Sequence, residues 1–437
     1  MPISLSRRHV LAASAAAALP GFAHAAADTP QSLAALGVLY ALPLIEMART
    51  RRNAEAMGQK GRFLHAPRLA DASSRAVTTP NVDTLYSSAQ IDLGAGPAVF
   101  DLPVAESTYF SLALMDAWSN NFAVLPAAAP GLTRVILFQA GDTVPAAGGA
   151  RVIRSPTRHV WALARTFAAS NDALETPHAV QKTLSVKTAA SSDVEPPIDA
   201  VALTPENPVA FFALANRLMA QEGALPADGP VLARLKAVGV GPGLPFVDTA
   251  DTRAGAASAW AMLKAGRQQP VGGWSYPKAD LGDFGTDYPY RAAIALNGLA
   301  ALPRSEAIYL FAAGDGAGAP GTFDGGREWR LHFAKGQEPP ADAFWSLTLY
   351  ERTPEGRQYL VANPANRFAV ASQTPGLTRN PDGSLTIAIS AEAPSDPVLK
   401  ANWLPAPKGP FTLTLRIYKP RATALDGRWR AQAVRIA

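Results

Sequence analysis

The 437-residue chain contains no cysteine. That excludes disulfides, thiolate zinc sites, iron–sulfur clusters and a cysteine nucleophile. Histidine is scarce: of six, only His65, His159, His178 and His332 lie beyond residue 25, and no two sit at a metal-ligand spacing. They read as satisfied structural histidines, since metal sites usually leave a spacing signal. G-x-S-x-G, H-E-x-x-H and P-loop signatures are missing, and glycine-rich residues 314–326 lack the strand–turn–helix setting of a dinucleotide site. No metal or other cofactor is therefore predicted. Forty basic residues stand against 35 acidic ones, a net +5, without a cluster dense enough for a nucleic-acid partner.

What is present begins with an export signal. Ser6-Arg7-Arg8-His9-Val10-Leu11 reads as a twin-arginine motif, residues 10–22 are apolar, and Ala23-His24-Ala25 fits an A-x-A cleavage site. The expected partner during export is the twin-arginine translocase, and the expected destination is the periplasm or the medium. Removing residues 1–25 leaves 38 basic and 35 acidic groups, +3. No later segment reads as the ~18 apolar residues a membrane span requires, so the mature form is expected to have none.

The remainder reads as mainly β: two β-sandwich or jelly-roll-like domains joined by helices. Residues 26–75 carry Leu33, Leu36, Leu39, Leu42, Leu44 and Met47 at helical spacing, one apolar face of one or two helices. Residues 76–190 hold short strands punctuated by Gly and Pro. Residues 191–289 revert to helix, with Asn207-Pro208 as a start, and are expected to link two β domains. Residues 290–437 are β again, with a turn at Pro381-Asp382-Gly383-Ser384. A faint repeat is visible: Tyr109-Phe110-Ser111-Leu112-Ala113-Leu114-Met115-Asp116 parallels Phe344-Trp345-Ser346-Leu347-Thr348-Leu349-Tyr350-Glu351. Two related sandwiches would produce it, and so would ordinary strand patterning.

Chemistry-bearing residues concentrate at strand ends, where a rigid scaffold presents side chains on open loops. Asn81, Asp83, Thr84 and Tyr86 lie within one polar stretch, residues 79–88. Asn81 reads as a turn-shaping side chain, Asp83 and Tyr86 as a pocket wall. Asp116 and Asn120 follow a second strand; Asp83 and Asp116 would form an acid/base pair if they met. Arg165 interrupts an apolar strand, so it must be paired or face a wet cavity. It either clamps an anion or forms an internal salt bridge, to Asp83 or Asp116 for example. Arg416 shares a strand face with Thr412, Thr414 and Tyr418, either ligand-facing or plain solvent-facing. Trp345, Tyr350 and Trp403 are candidates to stack on a ligand.

Taken together these segments resemble a two-part family, domain of unknown function 1254 followed by domain of unknown function 1214. The first is matched by residues 79–87, 109–116, Ser155-Pro156-Thr157 and Arg165. The second is matched by Tyr290-Arg291-Ala292, residues 344–350, Asn402-Trp403-Leu404-Pro405-Ala406-Pro407 and Leu415-Arg416-Ile417-Tyr418. Val82 departs from it, where the family more often carries Asn. The resemblance implies two sandwiches joined by helices and a homo-oligomer, and brings no reaction. The functional expectation is an exported hydrolase or lyase for a small molecule, with Asp83 or Asp116 as acid/base, Tyr86 as proton donor and Arg165 as anion clamp. The alternatives are a binder of carbohydrate or another envelope ligand through Trp345, Trp403 and Tyr350, or a structural envelope component.

Overall fold

The computed structural model describes residues 28–75, 78–144, 146–189, 198, 206–265 and 269–437; the expected export leader, residues 1–25, lies outside them. The first element is one helix, Pro30–Ala56, opened by Pro30 and by a reciprocal cap between Thr29 and Ser32. It is not the one-faced helix its leucine spacing suggests. Helices Pro208–Glu222, Gly229–Leu235, Ala250–Ala265 and Tyr288–Asn297 surround it, and all its residues from Leu33 to Ala48 are buried. The expectation of no apolar segment of spanning length needs correction. This helix is long and apolar enough to cross a membrane, yet 89% of its most apolar 18-residue window is buried inside the protein. A helix apolar all round is what the centre of a helical core requires. The contact with Ala250–Ala265 is close enough that Gly255 abuts the Gln31 carbonyl.

The first sandwich pairs two sheets. One has the order Leu64–His65, Thr84–Asp92, His159–Phe167, Phe110–Met115, Asn121–Leu125; the other runs Arg151–Ser155, Arg134–Gln139, Ala98–Asp101, Ser185–Lys187. Its core is built from alternate residues such as Val160, Ala162 and Ala164 with Leu112, Leu114, Phe100 and Leu137. The second sandwich has a sheet ordered Trp274–Ser275, Ala307–Ala312, Phe411–Pro420, Ala341–Arg352, Gln358–Tyr359, with Ala369–Ala371 also paired to Ala341–Arg352. Facing it is a sheet ordered Trp403–Pro405, Leu385–Ser390, Trp329–Phe333, Arg435–Ile436. In the expected turn before Leu385–Ser390, Gly383 takes φ +82° and Asp382 accepts from the Ser384 amide.

The two sandwiches share one topology. Taken in chain order, the strands of each half occupy the same places in the two sheets, apart from the added strand Ala369–Ala371. Each half also includes the same parallel pair, Arg134–Gln139 with Arg151–Ser155 and Leu385–Ser390 with Trp403–Pro405. Strand patterning alone does not dictate strand order, so the faint repeat is the trace of two related sandwiches.

Their larger sheets face each other directly. Phe344 stacks on Tyr418 at 4.3 Å between ring centroids and meets Phe167 at 4.5 Å. Tyr109 packs edge-on against Phe344 and Tyr418. The face bearing Thr412, Thr414, Arg416 and Tyr418 is thereby buried, at 6% exposure or less. Tyr418 and Arg416 reach Asn81 and the Thr79 carbonyl of the other sandwich, while Thr412 bonds Gln358 of its own half, so the solvent-facing alternative is ruled out.

Candidate functional site

The interface between the sandwiches gathers Asn81, Asp83, Thr84, Tyr86, Arg165, Tyr350 and Arg416. Strand alternation explains why. In the first half, Tyr86 lies opposite Arg165, which lies opposite Ser111. In the second, Tyr309 lies opposite Arg416, which lies opposite Ser346. Each half thus presents a Tyr–Arg–Ser row across three adjacent strands. Each also places an acid three residues before its tyrosine, Asp83 and Glu306, and each acid reaches across. Ser346 Oγ donates to Asp83 Oδ2 at 2.6 Å, and Tyr109 Oη donates to Glu306 Oε1 at 2.6 Å while lying 2.9 Å from Ser111 Oγ. The arginines cross over as well. Arg416 Nη2 reaches the Thr79 carbonyl at 3.4 Å, and Arg165 Nη2 donates to the Ala300 carbonyl at 2.7 Å. Thr79 and Ala300 both sit in the left-handed region, with φ of 52° and 68°. Non-glycine residues adopt it only when the surroundings hold them there.

The segment around Asp83 is pinned to the second half. Tyr350 Oη donates to the Pro80 carbonyl, Asn81 Nδ2 donates to Tyr418 Oη, and the Thr79 amide donates to the Gln358 carbonyl. Asn81 also shapes its own turn, accepting from the Asp83 and Thr84 amides at 2.6 and 3.2 Å. Thr84 is buried with its hydroxyl unpartnered. Burial pushes the Asp83 carboxyl above its ordinary value, against the pull of Arg416 and Ser346. Burial, then Glu306, raises the Tyr109 phenol well above the usual range.

Arg165 and Arg416 differ in how they are satisfied. Arg416 donates to Thr348 Oγ1 and Tyr350 Oη, both at 2.8 Å, and feels the charge of Asp83. Arg165 is 4% exposed, and among the described residues no carboxylate lies within ion-pair distance of it. Its Nη1 has no hydrogen-bond partner. The Tyr86 ring lies 5.4 Å from its Cζ, and the phenols of Tyr309, Tyr109 and Tyr418 couple to its charge. The expected salt bridge from Arg165 to Asp83 or Asp116 does not form, because each acid is engaged elsewhere.

Asp116 and Asn120 lie apart from this cluster. Asp83 precedes Thr84, near the strand row of Ala168, whereas Asp116 follows Met115, opposite Trp161. Some seven or eight residues of strand separate them, roughly 25 Å. The proposed acid pair therefore does not meet. Asp116 closes a turn: Oδ1 accepts from the Trp118 and Asn120 amides, Oδ2 from Asn120 Nδ2. Asn120 Oδ1 in turn accepts from the Phe284 amide. Burial pushes the Asp116 carboxyl up to about 6, against Asn120 and the nearby Arg291. Arg291 is fully buried, 3.9 Å from Asp228 and caged by the rings of Tyr40, Trp118 and Tyr288.

The tryptophan candidates are corrected too. Trp345 alternates with Phe344 and Ser346, so it points into its own sandwich, 2% exposed and against Phe333. Trp403 is buried with Nε1 donating to the Ser390 carbonyl. Neither offers a ring face to a ligand. His159 is a satisfied histidine: Nδ1 lies 2.5 Å from Glu222 Oε1 and its amide donates to Glu222 Oε2. It borders a recess with Arg51, Gln90 and Trp161 whose free volume, ≈ 10 Å³, is about what one water needs. Among the described residues no three His, Asp or Glu side chains converge as a metal site would require. Sequence reading misses Glu306, Tyr109 and Tyr309. Their signal is the repeat: the spacing from Asp83 to Tyr86 recurs from Glu306 to Tyr309.

Two family models match, each described as a protein of unknown function: DUF1254 over residues 61–188 and DUF1214 over residues 306–422. The chain belongs to this two-domain family. The matched stretches fall on the two sandwiches, so the two matched domains of this chain share one strand plan. A crystal structure of a Vibrio parahaemolyticus protein superposes with a TM-score of 0.71 at 18% identity, covering 94% of this chain and all of that one. An uncharacterised Burkholderia cenocepacia protein gives 0.45 at 14% identity, covering 92% and 88% of the two chains. No curated protein matches.

Proposed function

We propose that this member of the DUF1254–DUF1214 family is an exported protein, carried to the periplasm by its twin-arginine leader, that acts on a small anionic molecule at Arg165. The observation that carries the reading is the state of that guanidinium. A buried charge without a counter-ion costs several kcal/mol, and buried donors are nearly always satisfied. A polar molecule bearing negative charge would supply both needs. Half-buried Tyr86, Tyr109 and Tyr309 lie close enough to this guanidinium to interact with its charge.

Catalysis by a hydrolase or lyase route is supported by the neighbouring groups. The chain Ser111–Tyr109–Glu306–Lys419 is hydrogen-bonded throughout, with Lys419 Nζ 2.5 Å from Glu306 Oε2. It would move a proton beside Arg165, with Tyr86 as the facing donor. Asp83, engaged by Ser346, positions the interface in this reading, and Asp116 is too distant to take part.

Native mass spectrometry of the mature protein from its own periplasm tests this. A bound small anion present in the wild type and lost from Arg165→Met is expected, and the same spectrum reads the homo-oligomer. Conversion of that molecule, slowed at least 100-fold by Tyr86→Phe, marks an enzyme. Retention without conversion marks a binding protein. The reading fails if Arg165→Met retains the molecule.

A further inference from the structure

The shared strand plan allows one half of the interface to be read against the other. Arg416 and Arg165 occupy equivalent places, each between its tyrosine and its serine. Around Arg416 the side-chain acceptors come from the residues two and four beyond Ser346, which are Thr348 and Tyr350. Two and four beyond Ser111 stand Ala113 and Met115, on the same strand face and without a hydroxyl. Nη1 of Arg165 is left without a partner. Glu306 does not fill the gap, since Tyr109 and Lys419 take its two oxygens.

We infer that the Arg165 half is the ligand-binding copy of the pair, that Ala113 and Met115 are the residues that keep it open, and that the ligand is a carboxylate. This rests on the function proposed above and gives it a substrate class. At Arg416 the protein fills the guanidinium with its own hydroxyl oxygens, beside its own acid, Asp83. At Arg165 both are withheld. A ligand carboxylate replaces them together, with one oxygen on Nη1 and the negative charge that the site lacks. Met115 stands where Tyr350 stands in the other half, and its unbranched, soft side chain repacks around a guest more readily than a ring does. Because the Arg416 copy is occupied internally, each chain binds one ligand.

The experiment titrates the mature full chain with sodium acetate, sodium benzoate and inorganic phosphate by calorimetry, with chloride as the matched control. The variants are Arg165→Met, Ala113→Ser, and the double change Ala113→Thr with Met115→Tyr, which copies the Arg416 half. A carboxylate binding one per wild-type chain is expected, abolished in Arg165→Met and at least tenfold weaker in both Ala113 variants. Ala113→Ser adds one oxygen and little volume, so it decides the matter if the double variant does not fold. Wild-type binding that is lost in Arg165→Met but unchanged in Ala113→Ser overturns this inference and leaves the proposed function standing. Phosphate binding without carboxylate binding overturns the ligand class alone. Binding equal in wild type and Arg165→Met, or binding of no anion at all, overturns both.

Discussion

Asp83 and Ser346 stand 263 positions apart in the chain and join the two sandwiches by a hydrogen bond of 2.6 Å. The bond lies in a layer where each half's acid reaches the other half. The first half interposes the Tyr109 hydroxyl between acid and serine. The second has Phe344 at that position, without a hydroxyl, and the contact is direct. This acid is structural cement whose removal strands two partners, the Ser346 hydroxyl and the charge of Arg416. Asp83→Ala is expected to cost about 3 kcal/mol, and Asp83→Asn, which keeps one acceptor, about 1 kcal/mol. Urea unfolding followed by fluorescence measures both; equal costs would show that the acceptor oxygen kept by Asn contributes nothing, and no cost for Asp83→Asn would show that the carboxylate charge contributes nothing.

The two arginines should respond in opposite directions to the same change. Arg165→Met removes a buried charge that lacks a counter-ion, which is costly to hold, and strands only the Ala300 carbonyl, so it is expected to be neutral or stabilising. Arg416→Met strands Thr348, Tyr350 and the buried Asp83 carboxyl, a loss of about 3–5 kcal/mol. Thermal melts in ligand-free, low-salt buffer should place Arg165→Met at or above wild type and Arg416→Met well below it. Such a cost carried by the resting protein is what a binding site imposes on stability.

Much of this layer is legible in the amino-acid sequence itself. Asp83, Tyr86, Arg165 and Arg416 stand out because polar groups in apolar strand patterns demand partners. Which partners they find is not legible, since the contacts that satisfy them cross between halves hundreds of residues apart. The repeat is visible only over eight residues, because strand patterning draws on few residue types; strand order is what distinguishes a duplicated fold from coincidence. Trp345 misleads for a local reason. Its strand is buried on both faces, so an aromatic there reads as available to a ligand, although Ser346, Thr348 and Tyr350 on one face leave Trp345, Leu347 and Leu349 together on the core face. The N-terminal helix misleads likewise, since its leucines show a stripe while its alanines and glycine, small and equally buried, do not.

Gly255 tests the packing of the helical layer. A Cβ added there would lie 2.1 Å from the Gln31 carbonyl oxygen, and both are backbone positions that cannot rotate away. In an exposed helix, Gly→Ala gains up to about 1 kcal/mol. Here the sign reverses. Gly255→Ala is expected to destabilise by about 2–3 kcal/mol as helices Pro30–Ala56 and Ala250–Ala265 are pushed apart. A melting temperature at or above wild type would mean the two helices are not in close contact.

Asp116 carries the clearest pH signature. Its carboxyl titrates at about 6 in the folded chain, against 3.8 unperturbed, chiefly because it is buried. A raised carboxyl binds its proton more tightly when folded. Below about pH 4 both states hold the proton and its contribution to stability is full. Between about 4 and 6 the unfolded chain ionises first, so stability is lost as pH rises; above the folded value the loss is complete and constant. The span corresponds to about 3 kcal/mol. Asp116→Asn removes the titration and keeps the oxygen that accepts from the Trp118 and Asn120 amides. Other carboxylates titrate in the same range, so the informative quantity is the stability difference between wild type and Asp116→Asn. That difference should move against the wild type from pH 4 to 6.5 and level off above. A difference flat across the window would place the Asp116 carboxyl at its ordinary value, and the turn it closes would then hold a charge that the Asn120 and Trp118 donors, with Arg291 nearby, stabilise in full.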